Sequence, residues 1–378
     1  MKFATSCVHA GVAKDPAYNS VITPIYPTST FAFERIGVNK GYDYTRSGNP
    51  TRAAIEENIA ALEGGLRARC TCTGMGACTI ALFLLEPGAH VIAGHDIYGG
   101  AFRLMHEVFA QRGLLFSFVD MRDPENVRST VRDETAMIWI ETPSNPLLRI
   151  VDIVEVAGIA RECGALSVVD NTFMTPYYQK PLELGADIVI HSTTKYLNGH
   201  SDVVGGALVA KEADLADKVA WLVNALGVGE SPFDAWLVLR GTKTLSQRMQ
   251  AHSRNAQALA DFLSEHPAVN QVYYPGLASH PQHLLATRQM SGFGGMLSFE
   301  LAIDKITPDD FFSALQYFAL AESLGGVESL IEAPWHMSHA SMPEPARREA
   351  GITPGTIRIS AGIEDPDDLI ADLRAALG

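Results

Sequence analysis

Between residues 66 and 210 the chain sets seven short, largely apolar runs apart with segments that are mostly helical in spacing. The runs lie at 67–73, 90–94, 114–120, 136–141, 165–170, 187–192 and 205–210. Several are apolar throughout rather than alternating, as strands covered on both faces must be. The helical segments carry their own stop signals: 74–86 is closed by Pro87 and Gly88, and 152–163 by Gly164. Strands alternating with helices fold into a largely parallel sheet, here seven-stranded, with helices on both faces. The fold class is therefore α/β. In such sheets ligands gather at the carboxyl ends of the strands, so the residues just past each run are the first candidates for a site.

The flanks read differently. Residues 1–50 lack periodicity and hold Pro16, Pro24, Pro27 and Pro50, which predicts an extended arm that does not fold on itself. Thr51 is expected to cap a helix that shows Ile55, Ile59 and Leu62 on one face and stops at Gly64 and Gly65. After about residue 241 a long amphipathic helix at 243–264 leads into β-like runs at 271–274, 296–301 and 356–361, with helices at 308–317 and 366–377. That grouping predicts a smaller α+β domain. The expected division is an arm at 1–50, a main domain at 51–240 and a C-terminal domain at 241–378.

Composition removes several functions. A chain of 378 residues can bury two cores. Its formal charge of −14 excludes sequence-independent nucleic-acid binding, which needs basic surface. No apolar stretch has the length of a membrane span and the first residues show no signal-peptide pattern, so the expected location is the cytoplasm. The spacing of Cys70, Cys72 and Cys78 fits no common zinc module, and with Cys7 and Cys163 they are expected to be small buried residues. No metal is expected.

Past the strand ends lies one constellation. The run at 67–73 leads into Thr73-Gly-Met-Gly76, a small-residue turn that opens a helix and offers backbone N–H groups to an anion. It fits neither a dinucleotide fingerprint nor a P-loop. The run at 165–170 ends in Asp170, and the run at 187–192 in Ser192, with Thr194 and Lys195 following. Taken alone, the stretch from His191 to Asp202 is either a loop with a solvated lysine or a Schiff-base lysine beside a phosphate site. Pyridoxal phosphate asks a protein for a lysine, an anion site, an acid at its ring nitrogen and a flat cover. Lys195 supplies the first; Gly74, Met75, Ser192 and Thr194 the second; Asp170 the third; Tyr98 the fourth. Each has a plainer reading: Asp170 as a structural cap, Tyr98 as a core aromatic, Asn145 as a turn residue between Pro143 and Pro146.

The sequence resembles the pyridoxal-phosphate enzymes of cysteine and methionine metabolism, of the cystathionine γ-synthase and cystathionine γ-lyase type. The resemblance runs nearly end to end. It is carried by Tyr44-Thr-Arg-Ser-Gly-Asn-Pro-Thr51, Thr73-Gly-Met75, Asp96-Ile-Tyr-Gly-Gly100, Glu141-Thr-Pro-Ser-Asn-Pro146, Val169-Asp-Asn-Thr-Phe173, Lys195-Tyr-Leu-Asn-Gly-His-Ser-Asp202, Glu322-Ser-Leu-Gly-Gly-Val-Glu-Ser329 and Ile357-Arg-Ile-Ser360. It implies the PLP-dependent transferase fold of the aspartate aminotransferase type (fold type I) and a homotetramer of catalytic dimers. It also implies that Tyr44 and Arg46 bind the phosphate in a neighbouring subunit. Arg358 would take the substrate α-carboxylate, Asn145 would face the ligand, and Ser323 would place Lys195 and the substrate. Lys195 would move protons, stabilised by Asp170, with Tyr98 helping if a cation such as Arg46 lies near its phenol.

Within the family, Gly100 stands where methionine γ-lyases carry cysteine, and Glu322 where cystathionine γ-synthases and γ-lyases carry glutamate, suited to a distal amino group. Leu324 follows where β-lyases usually show an aromatic residue nearby. The expected reaction is γ-replacement on a homoserine ester by cysteine, with γ-elimination of cystathionine next and methionine γ-lyase or cystathionine β-lyase behind. A catalytically silent homologue and an aminotransferase are the rivals from other classes. His191 and His200 are read as structural. Trp335 and His336 leave the shape of the substrate open.

Overall fold

A computed structural model describes residues 1–13, 15, 17–340 and 342–378 of the chain; Pro16 of the arm lies outside them. Seven strands build the main sheet: β1 (Arg67–Thr71), β2 (His90–Gly94), β3 (Leu115–Val119), β4 (Thr135–Glu141), β5 (Leu166–Asp170), β6 (Ile188–His191) and β7 (Gly206–Ala210). Their order is β1-β7-β6-β5-β4-β2-β3. All run parallel except β7, which is antiparallel to both β1 and β6. The cause is the connection: residues 192–205 form a loop without a crossover helix, and a chain that turns straight back must pair antiparallel. That loop carries Lys195. Since β7 begins where its neighbours end, Gly206 meets the start of the next helix, and a Cβ there would lie 2.3 Å from the Thr73 carbonyl oxygen. Only glycine fits that approach.

Ile92, Ile138, Trp139, Val168, Val189 and Leu208 are fully buried, which is why these runs read as apolar from end to end. Burying each such side chain contributes about 1.5–3 kcal/mol. The helix α2 (Pro50–Glu63) is capped by Asn49, whose side chain accepts from the amides of Thr51 and Arg52; Thr51, the expected cap, lies one turn position inside. Proline at the first helical position sets that frame, because its missing N–H is one the helix start leaves unpaired. The arm also differs from its expected form. Residues Phe3–His9 are a helix, α1, whose Cys7 is fully buried and whose end is tied to α2 by the Asn58 side chain donating to the Ala10 carbonyl at 2.8 Å.

A second sheet has the order β10-β11-β12-β9-β8 and is mostly antiparallel. Its strands are β8 (Val269–Tyr273), β9 (Met296–Leu301), β10 (Ala319–Leu320), β11 (Leu330–Glu332) and β12 (Thr356–Ser360). The helices Leu245–Ser264 and Pro366–Leu377 cover it, with Leu259, Leu263, Phe299, Phe311, Ile357 and Leu369 in the core. β10 and β11 went unread in the sequence because two or three residues carry no period. They matter, since β11 aligns Glu332 opposite Arg358 of β12. Among the described residues no helix is long and apolar enough to cross a membrane.

Candidate active site

The carboxyl edge of the main sheet, faced by the second sheet, opens into a cavity of about 550 Å³. Every site residue expected from the sequence lines it except Tyr44 and Arg46.

One wall is an anion cradle. Helix α3 (Gly74–Leu82) starts there, with Thr73 as cap accepting from the Gly76 amide at 2.8 Å. The Gly74 and Met75 amides have no acceptor among the described residues. A Cβ at Gly74 would stand 2.9 Å from the Ser192 Cβ, so glycine lets the helix start close on the β6 loop. Thr194 also lines the wall, although its hydroxyl is shared with Gly205, donating to the carbonyl at 3.2 Å and accepting from the amide at 3.0 Å.

The floor holds two carboxyls side by side. Asp170 and Glu141 are paired across β5 and β4. Burial pushes the Asp170 carboxyl above its usual range, against the pull of the Thr172 hydrogen bonds. Burial first, and the neighbouring Asp170 next, push Glu141 well above its own. Glu141 accepts from the Tyr98 amide at 2.8 Å and from the Asn145 amide at 3.2 Å, so it ties two cavity walls together. Asp170 lines the cavity with no ion pair among the described residues, which suits a protonated ring nitrogen as partner.

Lys195 donates to the Ser323 hydroxyl at 2.7 Å. Burial and then the charge of Arg358 lower the Lys195 amine to about 8, against the opposing pull of Glu332 and Glu322. Such an amine is a nucleophile at near-neutral pH. Ser323 has a left-handed backbone, φ 88°, a conformation that costs on the order of 1 kcal/mol in a residue with a side chain. Two contacts hold it there: the Lys195 bond and Arg358 Nη2 donating to the Ser323 carbonyl at 2.7 Å.

Arg358 is almost fully buried and is gripped on several sides. Its Nη1 meets Asn145 Oδ1 and Glu332 Oε1, each at 3.0 Å. Among the described residues its Nε is buried without a partner, and so is Glu332 Oε2. At the mouth, Tyr98 is about two-fifths exposed, and burial of the rest pushes its phenol up. Among the described residues the cation acting on that phenol is Arg103, with Glu322 acting in the opposite sense; Arg46 is expected to reach it from a neighbouring subunit.

Tyr44 and Arg46 lie elsewhere. Arg46 donates to the Asn224 carbonyl and side-chain oxygens at 2.9 and 2.8 Å and lines a separate cavity of about 320 Å³. His191 is structural as expected, its Nε2 2.6 Å from Glu63 Oε1 with both side chains fully buried. His200 binds the Asn198 carbonyl at 2.8 Å. Trp335 is buried under the guanidinium of Arg347, whose centre lies 4.1 Å from the ring, and His336 is exposed; neither lines the cavity. Cys70 and Cys78 are buried, but Cys72 is exposed.

Sequence reasoning left out Arg103, Glu332 and Ser338, all of which line the cavity, and His339 behind them. Arg103 lies one turn past Gly99 and Gly100, a helical spacing that could have found it. Glu332 and Ser338 depend on strand register and loop path, for which the sequence has no local signal.

A family model described as Cys/Met metabolism PLP-dependent enzyme matches residues 4–378. The cystathionine β-lyase of Coxiella burnetii is 52% identical, covering 99% of this chain and 97% of its own. The crystal structure of cystathionine γ-synthase from Xanthomonas oryzae pv. oryzae in complex with aminoacrylate and cysteine is 50% identical with a TM-score of 0.98, covering 100% of this chain and 98% of that one. That of cystathionine γ-lyase from Lactobacillus plantarum complexed with L-serine is 46% identical with a TM-score of 0.97, over the same shares.

Proposed function

Since the chain belongs to the Cys/Met metabolism PLP-dependent enzyme family, and so is a pyridoxal-phosphate enzyme of fold type I, we propose that it is a cystathionine γ-synthase, joining an activated homoserine ester to L-cysteine. The observation that supports this reading is that Arg103 and Glu322, of opposite charge, both line the cavity and both act on the phenol of Tyr98. A substrate whose far end bears an amino group and a carboxylate finds a partner for each there. Leu324 leaves the adjoining wall aliphatic. Gly100 keeps the Tyr98 ring in place, because a Cβ at 100 would lie 2.5 Å from its Cε1; a cysteine there would force the ring to shift.

Bound in the cavity, pyridoxal phosphate supplies an aldehyde for Lys195 and an electron sink for charge developing at the substrate Cα. The Gly74 and Met75 amides and the Ser192 hydroxyl would hold its phosphate, with Thr194 beside them, and Asp170 would keep its ring nitrogen protonated. Tyr98 covers the ring. Arg358 binds the substrate α-carboxylate through the Nε that has no protein partner, and Asn145 fixes the guanidinium plane. Once the substrate amine has taken its place, the Lys195 amine removes the Cα proton and returns it further along the chain, with Ser323 holding the amine between the two positions. Glu322 receives the amino group of the incoming cysteine.

Tyr44 and Arg46 complete the phosphate site of a neighbouring subunit, in a homotetramer of catalytic dimers. Mixing inactive Lys195→Ala and Arg46→Ala proteins should then restore about a quarter of the native sites, since half the dimers are mixed and each has one intact site. No recovery on mixing would remove the shared site.

A second reading is β-cleavage of cystathionine, favoured by the 52% identity to a protein of that activity. Products separate the two. The holoprotein is given O-succinyl- or O-acetylhomoserine with cysteine, and in a second assay cystathionine alone. Cystathionine formed from an ester supports the synthase. Homocysteine and pyruvate from cystathionine, with no product from either ester, establish the β-lyase instead.

A further inference from the structure

Behind Arg358 a ring of hydrogen bonds holds more acceptors than its hydroxyl can serve. Ser338 Oγ lies 2.5 Å from Glu332 Oε1 and 2.9 Å from His339 Nδ1. His339 Nε2 lies 3.1 Å from the Asn145 carbonyl oxygen, which only accepts, so Nε2 bears a hydrogen. A neutral imidazole then has a bare Nδ1. The single proton of Ser338 cannot satisfy that nitrogen and a carboxylate at once; His339 and Glu332 are almost completely buried, and Ser338 between them is half-buried on the cavity wall. The ring needs one further proton.

Two arrangements hold it. In the first, Glu332 is an anion accepting from Ser338, and Ser338 accepts from Nδ1–H of a His339 cation. In the second, Glu332 carries the proton and donates to Ser338, which donates to the bare Nδ1 of neutral His339. They interconvert when the Nδ1 proton passes to Ser338 Oγ as the Ser338 proton passes to Glu332 Oε1. No proton enters or leaves. Burial and then the Arg358 charge push the His339 imidazole down to about 4, with Arg347 adding to them and the Asn145 hydrogen bond and Asp96 opposing, so a His339 cation gives up its Nδ1 proton readily.

We propose that Glu332, Ser338 and His339 form a proton relay that sets the charge beside Arg358, letting Glu332 become neutral as a substrate carboxylate arrives. With Glu332 ionised, Arg358 is already neutralised at 3.0 Å and an incoming carboxylate meets a like charge. With the proton moved onto Glu332, the guanidinium offers its full charge to the substrate, and the proton comes from within the ring. Glu332 and His339 are then positioning residues for carboxylate binding. The inference rests on the reading of Arg358 as the α-carboxylate site.

The test compares two ligands that differ by that carboxylate. The holoprotein is titrated with L-alanine and with ethylamine, following the visible band of the bound cofactor. Ser338→Ala should weaken L-alanine about tenfold while leaving ethylamine within about twofold, and Ser338→Thr should restore L-alanine. His339→Gln, which cannot shuttle the proton, should show the same selective loss. Equal effects on both ligands, or none on either, overturn the relay. Arg358→Lys separates the two claims: if it too fails to distinguish L-alanine from ethylamine, the carboxylate reading falls and the relay with it; if it distinguishes them while Ser338→Ala does not, only the relay falls.

Discussion

The two sides of the cavity treat charge in opposite ways. On the main-sheet side, Asp170 and Lys195 are buried against the preference of their charged forms, the carboxyl pushed up and the amine down to about 8, and the Gly74 and Met75 amides have no acceptor among the described residues. On the second-sheet side most of the charge is engaged, with Arg358 held by Glu332, Asn145 and the Ser323 carbonyl, and Arg358 Nε and Glu332 Oε2 left unpaired among the described residues. Unmet buried polar groups cost stability, and a ligand that satisfies them gains what the protein gave up. A resident group belongs on the first side. A substrate that must come and go belongs on the second, where it displaces or joins partners that hold the site in shape between turnovers. On the proposed reading, the chain builds its cofactor floor and its substrate wall from two separate sheets.

The largest expected break in that contrast is at Lys195. Lys195→Ala should remove the visible imine band and lower turnover by about 10³-fold or more, because the group that moves protons is gone. A variant that kept the band would unseat Lys195. Asp170→Asn should act next, on the same side. An amide cannot supply the charge that keeps the ring nitrogen protonated, so cofactor retention on dialysis should fall about 10- to 100-fold, the worth of one charge-assisted hydrogen bond. Retention equal to the native protein would show that the phosphate cradle alone holds the group.

On the substrate side the effect should fall elsewhere. Arg358→Lys keeps the charge and loses the planar fork, so KM for the amino-acid substrate should rise about 10- to 100-fold with the cofactor band unchanged. Loss of the cofactor together with substrate affinity would mean that the two sides are one unit, against the contrast drawn above.

The same division governs how much could be read from sequence. Asp170, Ser192 and Lys195 each sit at or just past the end of a buried strand, and a buried strand announces itself by composition, so their convergence follows from a parallel sheet. The reversal of β7 did not follow, because it depends on the absence of a helix between residues 192 and 205. Arg358 lies in the middle of β12, where nothing local marks it as a ligand; only the family resemblance pointed to it. Glu332 was silent for a further reason. Its meaning comes from the register that sets it opposite Arg358, and a three-residue strand leaves that register unwritten in any periodicity. Helix α1 was hidden by the prolines that follow it, which made the whole arm read as extended.

The smallest effect tests whether the two sides feel each other at all. A lysine capturing an aldehyde must be neutral, and with its amine lowered to about 8 Lys195 is neutral in roughly one molecule in ten at pH 7, against about one in 3,000 for an ordinary lysine. Cofactor capture by the apoprotein should therefore rise about tenfold per pH unit below 8 and level off above it. A midpoint above 10 would show that the amine is not held neutral. Burial is the larger cause of the lowering and Arg358 the second, so Arg358→Gln should move the midpoint upward, toward the ordinary lysine, without restoring it fully. If the midpoint stays where it was, burial alone sets the amine, and Arg358 bears on Lys195 through their shared contact with Ser323 and not through its charge.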